Sequence, residues 1–256
     1  MAAAVIDRLL RRLALARAAQ GIETSDSAAS AATRGAIVYR GPASLPGCPE
    51  AIADVLAEVG VPYRFVGPAE PLGLSRDTLA SASLYVQPGG GEVEESWPLL
   101  ARHAPAIREF VAGGGRYLGV CLGAYLASDD PGFGFLPAGA DQYISMPGAS
   151  IRHPGDASVT LRWRGRARQA YFQDGPYFEI AEDARTQVLG RYPNGAVAAA
   201  VCSYGAGRVG VVGPHLEATP DWFTDVGLEP PSPGTLDLAC DLLAALLSPA
   251  PTPCGR

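Results

Sequence analysis

A thiol, an imidazole and a carboxylate carry acyl-transfer chemistry when they are brought together, and this chain sets one of each where sheet elements end. The thiol is Cys121, in Gly119-Val120-Cys121-Leu122-Gly123. An apolar run precedes this frame and another follows it, so the cysteine falls where a strand meets a helix. At such a junction the sharp turn pushes the side chain beyond the carboxyl edge of the sheet. Small residues on either side let strand and helix approach closely. A helix N-terminus also contributes partial positive charge, which favours thiolate over thiol, and the thiolate is the nucleophile. A free cysteine without such a frame is ordinarily a small core residue.

The imidazole and carboxylate stand together at a second strand end. Arg208-Val209-Gly210-Val211-Val212 reads as an apolar strand, and Gly213-Pro214-His215-Leu216-Glu217 follows it directly. In extended backbone, residues i and i+2 project to one side, so Glu217 reaches the ring of His215 and holds its tautomer. His215 is then able to take a proton from Cys121 and return it to a leaving group. The chain has three histidines in all. His103 falls on an exposed-looking helix and His153 in a Pro/Gly loop, so neither competes for this role. Acyl transfer also requires amide donors for an oxyanion. The N–H of Leu122, just after the cysteine, is one. The other candidate is the loop Gly89-Gly90-Gly91 after Pro88, where glycine permits close backbone approach.

The elements that must position these groups read as β-α-β repetition in the first half. Short apolar strands are expected at 36–39, 63–66, 84–87 and 116–120, with helices at 49–59, at 95–112 and from Leu122 to Ala127. This is the pattern of a parallel sheet covered by helices. After Asp130 the pattern changes to short strands at 142–146, 158–163, 168–173, 187–192, 196–203 and 207–213, which predicts antiparallel hairpins. Helices near 219–226 and at 235–247 close the domain. The domain organisation read from these signals is an amphipathic helix and linker over 1–34, a folded domain over 35–247 and a Pro-rich tail over 248–256.

Composition narrows the function classes. With 48% hydrophobic and 18% charged residues, 256 residues suffice for one well-buried α/β domain plus tails. Net charge is −6 and no dense basic stretch occurs in the folded region, which argues against a nucleic-acid partner. No apolar run reaches the ~18 residues of a membrane span. The five cysteines, Cys48, Cys121, Cys202, Cys240 and Cys254, are scattered, without a CxxC pair. That supports neither a metal site nor a disulfide framework and fits a reducing compartment. Arg11-Arg12 precedes an apolar tetrapeptide that Arg17 interrupts. A twin-arginine export signal needs a longer apolar core, so the expected location is cytoplasmic.

Taken together, Pro88-Gly89-Gly90-Gly91, then Gly119-Val120-Cys121-Leu122-Gly123-Ala124-Tyr125, then His215-Leu216-Glu217 resemble the class I glutamine amidotransferases. Tyr125, Tyr171-Phe172-Gln173-Asp174-Gly175-Pro176-Tyr177-Phe178 and Gly205-Ala206-Gly207-Arg208 look most like the branch known from the N-terminal domain of biotin-protein ligases. The resemblance covers roughly residues 35–247. It implies a doubly wound, flavodoxin-like, mostly parallel α/β domain with antiparallel hairpins in its second half. It further implies a Cys121-His215-Glu217 triad, oxyanion donors at Gly90 and Leu122, and substrate contacts at Gly89, Tyr125, Tyr171, Gln173 and Gly175. No cofactor is implied. Glutaminases of this class usually carry Gln or a similar residue at the position of Tyr125, which puts free glutamine in doubt. The expected substrate is a small amide, hydrolysed directly or with a separate synthase or ligase as partner. Two alternatives stay open: a non-catalytic metabolite-binding or regulatory domain, and a peptidase or esterase using the same three groups.

Overall fold

Strand β1, Ala36–Tyr39, is buried along its whole length. Its alternate residues enter different cores: Ala36 and Val38 pack in one apolar cluster, Ile37 and Tyr39 in the other. Successive side chains of a strand point to opposite faces, so this strand is covered above and below. The computed structural model describes residues 34–248 apart from Asp130, Pro137 and Ala184. The expected N-terminal helix, most of the linker that follows it and the tail beyond Ser248 lie outside those residues.

Beside β1 run β2 (Tyr63–Val66), β3 (Leu84–Gln87) and β4 (Arg116–Val120), each parallel to its neighbours. Strand β11 (Gly207–Val212) returns from far along the chain and lies parallel to β4, with Val212 opposite Val120. From there the sheet turns antiparallel through β10 (Val197–Tyr204), β9 (Thr186–Arg191), β6 (Ala157–Trp163) and β7 (Arg166–Phe172). The order is β2-β1-β3-β4-β11-β10-β9-β6-β7, and β5 (Ala140–Gln142) pairs with β8 (Pro176–Phe178) beside β10. The fold is therefore a mixed α/β sheet, parallel in its first half and antiparallel later.

Helices cover both faces. On one, Ile52, Val55 and Leu56 of α1 (Cys48–Glu58) share a cluster with Leu238, Leu242 and Leu243 of the last helix, Leu236–Leu247. On the other, Ile107 and Val111 of helix Ala104–Ala112 pack with Tyr85, Tyr117 and Phe133.

Three expected elements differ. The helix predicted over 95–112 is two helices, Val93–Leu100 and Ala104–Ala112, joined by a 3₁₀ turn at Ala101–His103. Pro98 and Pro105 each remove a backbone donor, and a proline suits the first turn of a new helix better than the middle of an old one. The helix opened by Leu122 extends only to Tyr125. The strand predicted at 142–146 is a 3₁₀ turn, Tyr143–Ser145, preceded by β5. There Tyr143 is fully buried, with its ring stacked 3.7 Å from that of Tyr192, so a long-range contact decides the local backbone. Strand β8 lies within the aromatic stretch expected to wall the site.

Candidate active site

The site begins with a strained residue. Cys121 directly follows β4 and has φ 50°, ψ −108°, a backbone conformation that residues with a Cβ rarely adopt. Its neighbours make this turn possible. A Cβ at Gly119 would strike the carbonyl of Gly123, and a Cβ at Gly123 would strike the carbonyl of Gln87. Beneath them the Tyr117 hydroxyl donates to the Gly123 carbonyl at 2.6 Å. The fully buried Gln87 accepts from the Tyr85 hydroxyl at 2.7 Å and donates to the Ala43 carbonyl at 2.8 Å. The elbow therefore rests on a satisfied polar network, which makes it rigid. A helix of one turn aligns few peptide dipoles, so the positive charge facing the sulfur comes from a side chain rather than from the helix end.

That side chain is His215. The end of β11 lies beside the end of β4, and the Cys121 amide donates to the Val212 carbonyl at 2.9 Å. The His215 amide donates to the Tyr171 carbonyl at 2.9 Å, which fixes the loop. The ring Nδ1 is 2.8 Å from Glu217 Oε1, and the Cys121 sulfur is near enough to act on the ring's charge. With Nδ1–H directed at the carboxylate, Nε2 is left for the sulfur. Cys121, His215 and Glu217 are 7%, 3% and 5% exposed. Burial alone would lower the histidine pKa, but the Glu217 carboxylate and the Cys121 sulfur outweigh it and raise it to about 10. The second carboxylate oxygen of Glu217 is buried without a protein partner. Thr235 Oγ1 donates to the Leu216 carbonyl at 2.7 Å, between His215 and Glu217 in the chain.

A cleft of about 160 Å³ opens beside the imidazole, lined by His215, Tyr171, Trp222, Gln173, Leu45 and Pro46. Gly90 and Cys48 complete the lining. Cys121 is not among the lining residues, but its Sγ donates at 3.6 Å to the carbonyl of Gln173, which is. Of the expected substrate contacts, Tyr171 and Gln173 therefore border the cleft, whereas Gly89, Tyr125 and Gly175 do not. Gly89 backs onto the imidazole, where a Cβ would come within 2.6 Å of His215 Cε1. The Tyr125 hydroxyl donates to the Asp174 carbonyl at 2.9 Å, and Gly175 packs against the carbonyl of Gly213. The N–H of Leu122 opens the one-turn helix, a position without an intrahelical partner.

Two residues at the site carry no signal in the amino-acid sequence. Cys48 opens α1 and is buried, and its Sγ is 3.3 Å from the point where a Gly89 Cβ would sit. Burial pushes its thiol well up, and the nearby Glu217 and Cys121 charges add to the shift. Cys48 stays protonated, which leaves Cys121 as the thiol paired with the imidazole. Trp222, on the short helix Pro220–Thr224, has its ring 5.4 Å from His215 and 5.5 Å from Tyr171. Only tertiary packing sets it there. Among the described residues no group of three His, Cys, Asp or Glu side chains is placed to hold a metal ion, and no helix is long and apolar enough to cross a membrane.

Residues 35–136 match the family described as Biotin-protein ligase, N terminal. Over that stretch the chain is similar to this family. The match contains the glycine loop and Cys121; His215 and Glu217 lie beyond it. An uncharacterised protein of Chlamydia muridarum is 29% identical over 167 residues, which cover 56% of this chain and 63% of that protein. The chain thus spans less than two thirds of that relative's length. Among solved structures, a Thermoplasma acidophilum protein described as a GMP synthase subunit superposes with a TM-score of 0.53 at 11% identity. The superposition covers 82% of this chain and 94% of that protein. Identity that low speaks to the fold alone: the two share a mixed α/β architecture.

Proposed function

We propose that this domain is a cysteine-dependent amide hydrolase or amidotransferase. One observation carries the reading: a buried His215 that pairs with a carboxylate and feels the charge of the sulfur on a strained elbow residue. In this mechanism Cys121 Sγ attacks the carbonyl carbon of a small amide. The negative charge that develops on the carbonyl oxygen is taken by the N–H groups of Leu122 and Gly90. His215, held by Glu217, delivers a proton to the leaving nitrogen as the C–N bond breaks, and a thioester remains on Cys121. The free amine or ammonia departs for a separate synthase or into solvent. His215 then takes a proton from water as it attacks the thioester, the acid leaves, and the thiol is restored.

Cys121→Ala is expected to abolish turnover of a small amide panel while leaving the circular dichroism spectrum and Tm unchanged. Mass spectrometry of the wild-type chain treated with iodoacetamide at neutral pH should place the adduct on Cys121, with Cys48 unmodified. A wild-type Cys121 that stays unmodified on the timescale on which free cysteine reacts would sink the reading. The second reading, a binding domain that retains the elbow, is favoured by a cleft lining that does not include Cys121. It predicts saturable binding of a small amide with no turnover and no labelling.

A further inference from the structure

The cleft beside His215 is aromatic and aliphatic on three sides. Tyr171 and Trp222 meet edge to face at 5.5 Å, and Trp222 lies 5.4 Å from the imidazole, so the two rings and His215 form a corner. Leu45 and Pro46 make the opposite lip. Leu45 is 47% exposed and is held in place by its amide, which donates to the Gly89 carbonyl at 3.1 Å. The volume, about 160 Å³, is close to the ~150 Å³ at which an apolar cavity accepts benzene.

Charge points the same way. Among the described residues no arginine lines the cleft, and the chain has no lysine; the imidazole of His215 there is already paired with Glu217. Acidic groups stand nearby. Asp156 accepts from the Tyr171 hydroxyl, and the charges of Asp174, Asp141 and Glu92 act on Tyr125. The carboxylate of free glutamine would enter this field without a cationic partner, and leaving a charge unpaired on an apolar surface is costly.

We propose that the cleft seats an uncharged, ring-sized apolar group of the substrate amide in preference to the charged α-amino acid end of free glutamine. The inference rests on the catalytic reading of the same site, since it names the part of the substrate that lies next to the scissile bond. Trp222 and Leu45 set this preference, and Gln173 offers a polar side chain at the cleft beside His215.

Binding to the full chain carrying Cys121→Ala tests the preference without catalysis. Phenylacetamide, phenylacetate and L-glutamine are titrated by calorimetry. Phenylacetamide is expected to bind at least about tenfold more tightly than either charged ligand, a difference of about 1.4 kcal/mol. Adding Trp222→Ala should cost phenylacetamide about fivefold or more and leave L-glutamine unchanged. Leu45→Asp, at an exposed position that the fold tolerates, should weaken phenylacetamide similarly. L-Glutamine binding as tightly as phenylacetamide, no saturable phenylacetamide binding, or indifference to both Trp222→Ala and Leu45→Asp would each overturn the inference. Iodoacetamide labelling of wild-type Cys121 is read separately. Labelling without selective binding removes the substrate class and keeps the catalytic reading; selective binding without labelling does the reverse.

Discussion

At the scale of single residues, the contacts of His215 set the behaviour of the site. Its pKa is raised from 6.5 to about 10, so the stabilisation gained from the charged ring is present in full below pH 6.5 and fades as pH rises through about 10. Glu217 supplies the carboxylate that holds this charge at 2.8 Å. Glu217→Gln is therefore expected to destabilise the fold by up to about 3 kcal/mol at pH 6, with the gap to wild type narrowing towards pH 10. Urea unfolding across that range measures it, and a pH-independent gap would show that the carboxylate acts by packing alone. Gly89 presses on the other side of the ring. Gly89→Ala would put a methyl 2.6 Å from His215 Cε1, and the imidazole must move. A shift of about 1 Å at a reacting group costs on the order of a hundredfold in rate. Cys121 in this variant should alkylate at least tenfold more slowly in a stopped-flow assay, with little change in Tm.

At the scale of elements, the elbow depends on how closely β3, β4 and the turn after Cys121 approach each other. Gly123 lies against the Gln87 carbonyl at the end of β3, and Gly119 lies against Gly123 itself. Neither contact involves a flexible side chain that could swing aside. Gly123→Ala should destabilise the domain by about 1–3 kcal/mol, the usual cost of overpacking a close contact, and lower the reactivity of Cys121 as the turn is pushed open. Chemical denaturation with parallel labelling checks both; unchanged stability would mean that the backbone relaxes freely there. The same element-level constraints limit what periodicity reveals. Strands 36–39, 63–66, 84–87 and 116–120 are legible because each is a short apolar run bounded by turn residues, and the structure has them at those bounds. The break at Ala101–His103 and the 3₁₀ turn at Tyr143–Ser145 are less legible. The first needs two prolines weighed against a continuous apolar stripe, and the second is decided by the stacking of Tyr143 on Tyr192.

At the scale of the whole molecule, β11 joins two halves of different character. It pairs parallel with β4 and antiparallel with β10, so the parallel first half and the antiparallel second half meet along one strand. That seam is also where the candidate groups come together, since Cys121 follows β4 and His215 follows β11. Strands buried on both faces and paired on both edges open last in native-state exchange. The amides of Leu118 and Val211 should therefore be among the slowest to exchange in mass-spectrometric hydrogen exchange, and those of the outermost pair, β6 and β7, faster. Because Cys121 and His215 are brought together only when distant segments pair, loss of the alkylation-reactive thiol should follow the same denaturant midpoint as loss of the sheet. Reactivity that outlasts the sheet would mean that the elbow alone activates the sulfur.

The amino-acid sequence by itself determined the α/β alternation, the glycine-framed elbow and the His-x-Glu strand end, because these are local: periodicity, turn chemistry and i, i+2 projection act within a few residues. Only the tertiary structure decided that β11 lies beside β4, which sets imidazole and sulfur at one sheet edge. It also decided that Cys48 and Trp222 join the site while Tyr125 and Gly175 turn to neighbouring carbonyls. Those outcomes depend on strand order and long-range packing. A chain's local pattern constrains which segments form, but the burial of apolar surface shared between distant segments selects which of them meet.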